Sequence, residues 1–115
     1  MSNSKKTIEY PFNALLSFYK TSACYYARSE HLLKDFFQEK ISLSKEQKEC
    51  LYDTLLTSRV VCITVEDLNL LDLPEETDVI KLDIMTAKML SGLLASLSDY
   101  LDKSKKMGID ILSTH

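Results

Sequence analysis

The chain has 115 residues, 45% of them hydrophobic and 27% charged, with a formal net charge of −3. That is the length of one domain and the composition of an ordinary folded chain, and the negative balance argues against a general nucleic-acid binder. Two glycines and two prolines leave few places to turn, which favours a few long helices over many short strands.

Residues 1–10 read as a disordered polar lead without the apolar stretch of a secretory signal. Pro11 suits the first turn of a helix, where its missing N–H costs nothing. From Phe12 a series with alternating steps of four and three runs through Leu16, Tyr19, Ala23, Tyr26, Glu30, Leu33 and Phe37, apolar but for Glu30. This is helical spacing and predicts a first helix to about Lys40. Ser44 with Gln47 three residues on forms a capping box. It opens a second helix whose line is Leu51, Leu55, Ser58, Cys62, Val65 and Asn69. The β-branched run Val60–Val65 has strand character, but the helical spacing continues through it and no hairpin partner lies nearby. It is also far too short to span a bilayer. Asp72, Pro74 and Glu75 read as the cap and first turn of a third helix. That helix carries Val79, Leu82, Met89, Leu90, Leu93, Leu97, Tyr100 and Leu101, with Lys103, Lys105 and Lys106 at its C-terminal end and Gly108 as its stop.

The expected fold is therefore all-α: three long antiparallel helices in an up-down-up bundle over residues 11–108, completed by dimerisation, with a short tail over 109–115. Dimerisation enters because eight of the ten aromatic residues lie between Tyr10 and Phe37, on two faces of helix one. A second stripe, Phe18, Tyr25, Leu32 and Phe36, sits about 120° from the first at 100° per residue. Helix two repeats the pattern with Tyr52, Leu56, Ile63 and Leu70. Each bundle helix needs one broad apolar face. These eight residues are thus expected to form an interface, in the simplest case a homodimer.

Two polar features are candidate sites. Glu30 falls within the main stripe of helix one, where a buried carboxylate needs a mate. Arg59 on helix two is the expected one, as a buried polar pair, with a tyrosine hydroxyl as the other candidate. Seven acids and one base lie between Glu66 and Asp83. Of these, Glu66, Asp67, Asp72, Glu75, Glu76 and Asp78 are an expected acidic docking surface for a basic partner.

No catalytic, cofactor or metal site is expected. Cys24, Cys50 and Cys62 are an odd number without metal-ligand spacing and read as buried, reduced thiols of a cytoplasmic protein. Gly92 and Gly108 stand alone, so no phosphate loop exists. Arg28 and His31 share a solvated face, and no Glu-x-x-His pair supports a di-metal centre. The expected function is a small non-enzymatic interaction or regulatory module, with no membrane or direct nucleic-acid partner. The alternatives are an acidic inhibitor or immunity-type protein that blocks a basic target, and a ligand binder or enzyme with a pocket around Glu30.

Overall fold

A computed structural model describes residues 6–74 and 76–111. It is mostly helical, with the order β1 (Thr7–Pro11), α1 (Phe12–Phe37), α2 (Lys45–Asp67), β2 (Val79–Asp83) and α3 (Ile84–Lys106). The three antiparallel helices follow the expected path, and residues 60–65 are helical.

The two strands correct the all-α expectation. The part of the polar lead from Thr7 onward pairs antiparallel with Val79–Asp83, in a register that sets Ile8 opposite Leu82 and Tyr10 opposite Ile80. Ile80 and Leu82 are buried while Val79 and Lys81 are exposed, the alternation of a strand with one face on a core. Helix three consequently begins at Ile84, about ten residues later than the Asp72–Glu75 signal suggests. Each strand runs straight into a helix. Phe12 N donates to Asp78 O at 3.0 Å and Ile84 N to Lys6 O at 3.0 Å. The ribbon thus satisfies the first N–H of α1 and of α3, neither of which has a side-chain cap.

Helix ends elsewhere follow local chemistry. Ser44 Oγ accepts from Gln47 N at 3.1 Å while the Gln47 side chain accepts from Ser44 N at 2.8 Å, so the capping box is complete. α1 and α3 both close with the bond pattern of a Schellman motif. Lys40 N donates to Asp35 O and Glu39 N to Phe36 O, with Glu39 at φ 62°. Ile109 N donates to Ser104 O and Gly108 N to Lys105 O, with Gly108 at φ 85°. After Gly108 the chain turns back. Ile111 is buried against Leu33 and Leu51, and Arg28 Nε donates to Ile111 O at 3.2 Å.

The main core holds Phe12, Leu15, Phe18, Val61, Val65, Ile80, Leu82, Ala87, Leu90 and Leu97. A second, smaller one holds Leu33, Leu51 and Ile111. Between them lie fully buried small residues: Ser22 and Ser29 on α1, Thr54 and Ser58 on α2. Small side chains let two helix axes approach, and α1 and α2 are the most extensively packed helix pair. α1 and α3 have few close backbone approaches; larger side chains such as Phe18 and Leu97 bridge that gap. The basic end is tied by Gln47 Nε2 donating to Met107 O at 2.8 Å and by Cys50 Sγ lying 3.1 Å from Ser104 Oγ. No helix among the described residues is long and apolar enough to cross a membrane.

Candidate functional site: the outer face of the first two helices

The buried line of α1 is Phe12, Leu15, Phe18, Ser22, Ser29 and Leu33, which runs between the two aromatic stripes. The stripes are therefore the two flanks of one inward face. Phe18 is 8% exposed and belongs to the main core. Tyr25 packs on both cores and Leu32 on the smaller one. Tyr25 also lines a hollow with Ser98, Leu101 and Asp102 of α3 and with Ile111 of the tail. Phe36 is half-buried, stacked edge-on with Phe37 and 5.0 Å from the Lys48 ammonium. These four α1 residues face other parts of the same chain, so the structure does not assemble them with the α2 group on one surface.

The α2 group divides as well. Leu70 lies past the end of the helix and packs on the main core. Tyr52, Leu56 and Ile63 are exposed, Leu56 by 59%, and Val60 joins them. At about 100° per residue Tyr52, Leu56, Val60 and Ile63 fall within roughly 80° of one another, a single apolar row along the outside of α2. Phe37 is 62% exposed at the far end of α1. α3 leaves Met85, Met89 and Leu94 exposed, but Leu94 lies about 180° from Met85 and the three form no common face.

Beside the row, α1 and α2 enclose a hollow of about 270 Å³ lined by Tyr19, Ala23, Tyr26, Arg59, Cys62, Ile63 and Glu66. Two cross-helix contacts frame it. Tyr19 Oη donates to Glu66 Oε2 at 2.7 Å. Arg59 Nη1 donates to Tyr26 Oη at 3.2 Å, with the guanidinium 5.7 Å from the ring centre. The Tyr26 hydroxyl in turn donates to Glu30 Oε2 at 3.1 Å. This corrects the expected buried pair. Glu30 and Arg59 are both exposed and are linked through Tyr26 rather than to each other. Solvent and a phenol satisfy the Glu30 carboxylate because it sits at the outer edge of the α1 flank. Glu30 does not line the hollow.

The electrostatics do not arm a nucleophile. The Glu66 carboxylate that accepts its hydrogen bond raises the Tyr19 phenol to about 12, with burial adding to the effect. Burial, then Glu66, pushes the Cys62 thiol up against a smaller opposite pull from Arg59, away from a reactive thiolate. Cys50 is buried, Cys62 half-buried and Cys24 exposed, all three free. The exposure of Cys24 corrects the expectation of three buried thiols; its place on α1 falls outside the inward face. His31 pairs with Asp35 at 3.3 Å, one turn on, at the surface. Among the described residues no group of three or more His, Cys, Asp or Glu side chains could hold a metal ion.

Comparison with family models, curated proteins and solved structures found no match.

Glu66, Asp67, Asp72, Glu76 and Asp78 are all exposed at the end of the molecule where α2 finishes. None of them makes an ion pair among the described residues. Glu75, the sixth acid of the expected docking surface, lies outside the described residues. Missed from sequence were the Tyr19–Glu66 and Tyr26–Arg59 contacts. Their signal was available, because both the tyrosines and their partners are spaced by seven, two turns of antiparallel helices.

Proposed function

We propose that this chain is a small non-enzymatic interaction module that binds another protein chain through the outer face of α2. The row Tyr52, Leu56, Val60 and Ile63 carries the reading: four exposed apolar side chains on one regular helix, with no element over them among the described residues. Full burial of such a side chain stabilises by roughly 1.5–3 kcal/mol, so partly covering four is a sizeable driving force for association. The Tyr26–Arg59 and Tyr19–Glu66 contacts hold the adjoining edge in place and offer a polar rim.

A photo-crosslinking amino acid at position 56 in the native host tests this. A protein adduct is expected there and not at Lys88, an exposed position on α3. No adduct at position 56, or equal yields at both, overturns the reading. A second reading, an acidic module that blocks a basic target, is favoured by the five exposed acids that make no ion pair among the described residues. Reversing Asp72, Glu76 and Asp78 to lysine would then abolish binding and leave the position-56 adduct untouched.

A further inference from the structure

We propose that the occupant of the α2 face is a second copy of this chain, docked antiparallel along α2 about a twofold axis at Leu56. The inference rests on the interaction reading above and adds the partner and its register. In an isologous contact each residue meets its mate twice, once from each copy. Leu56 is the most exposed apolar residue of α2, and three pairs of exposed residues on either side of it match when the helix is reversed. Tyr52 lies four residues before and Val60 four after, so apolar meets apolar. Asp53 lies three before and Arg59 three after, so acid comes level with base across the seam. Lys45 lies eleven before and Asp67 eleven after, again acid with base, about 16 Å from the axis at 1.5 Å per residue. Lys45, Asp53, Arg59 and Asp67 are all exposed, and none makes an ion pair among the described residues.

A parallel pairing would instead bring Lys45, Arg59 and Asp67 each against its own copy, and like charges juxtaposed at an interface are costly. Two levels are mismatched in the antiparallel register: Glu49, seven before Leu56, meets Ile63, seven after, and Glu46, ten before, comes level with Glu66, ten after, acid with acid, although both lie about 80° from the Leu56 line and Glu66 is turned to Tyr19. The seam is one helix face, small beside the ~1,600 Å² of a standard interface. Dimerisation is therefore expected to be weak and concentration-dependent, and the test spans a wide protein range.

Sedimentation equilibrium over about 1 μM to 1 mM protein is the test, with circular dichroism to show that each variant is folded. The wild-type chain dimerises and Leu56→Lys is a folded monomer. Lys45→Asp alone and Asp67→Lys alone each weaken dimerisation about tenfold or more, because each sets like charges level at both ends. An equimolar mixture of these two variants recovers wild-type affinity as a mixed dimer, in which every such level pairs unlike charges. If the wild-type chain dimerises and Leu56→Lys does not, but the charge variants do not weaken the dimer or their mixture is no tighter than either alone, the antiparallel register is overturned while occupation of the α2 face stands; if folded Leu56→Lys still dimerises, the α2 seam itself is overturned. A chain still monomeric at 1 mM overturns the second copy as occupant. The adduct at position 56 then decides the interaction reading separately.

Discussion

Phe18→Ala and Leu56→Ala separate core from surface within residues that the sequence pattern treats alike. Both positions belong to second stripes at helical spacing, and either truncation removes a large apolar side chain. The structure gives them opposite weights. Phe18 is 8% exposed and packed in the main core, where Phe→Ala costs about 3–5 kcal/mol in lost transfer energy and residual cavity. Leu56 is 59% exposed, and a surface change of this kind stays within about 0.5 kcal/mol, Leu and Ala being similar helix formers. Small domains lose about 1–3 kcal/mol of stability per molar urea. A 4 kcal/mol loss at a slope of 2 therefore moves the unfolding midpoint of Phe18→Ala down by about 2 M, and that of Leu56→Ala hardly at all. Urea titration followed by circular dichroism reads the shift. It is run at two protein concentrations, because a dimer would lend concentration-dependent stability that Leu56→Ala removes. At the lower concentration, equal shifts for the two variants, or a larger one for Leu56→Ala, would show that the inward face of α1 does not run between its stripes.

Two further outcomes follow from polar groups. Ser22 and Ser29 are fully buried and neither hydroxyl has a partner among the described residues. An unsatisfied buried hydroxyl carries a penalty of about 1–3 kcal/mol, so Ser22→Ala and Ser29→Ala should each raise stability by roughly 1 kcal/mol in the same titration; a loss at either site would mean that its hydroxyl is bonded. The Tyr19 phenol is held at about 12 in the folded chain, chiefly by its hydrogen bond to Glu66, against 10.0 for a free tyrosine. Its folded pKa is raised, so folding retains a proton that the unfolded chain loses first. The stability it lends is present below pH 10 and lost as pH rises through 12. In an ultraviolet titration of the phenols, Glu66→Gln should shift the last part of the curve to lower pH and Tyr19→Phe should remove it; an unchanged upper limb would break the Tyr19–Glu66 assignment.

What could be read from the sequence divides by range. The capping box at Ser44, the helical path through Val60–Val65 and the stop at Gly108 depend on neighbours a few residues away, and each stands as read. The ribbon depends on Thr7–Pro11 meeting Val79–Asp83 across most of the chain, and no turn signal announces such a pairing. Without that partner, the capping signal of Asp72, Pro74 and Glu75 looked like the start of a helix. The two stripes of α1 failed for a related reason. A wheel shows which residues share a face but not which neighbour covers it. Ser22 and Ser29, which belong to neither stripe, are fully buried, as are Thr54 and Ser58 of α2, and the aromatic flanks on either side reach different neighbours. On α2 the same wheel gives a second row of which Tyr52, Leu56 and Ile63 are exposed. The exposed apolar row lies on α2, where its residues are mostly aliphatic, rather than on the aromatic second stripe of α1, and the spacing of Lys45, Asp53, Arg59 and Asp67 about Leu56 is what the proposed contact between two copies rests on.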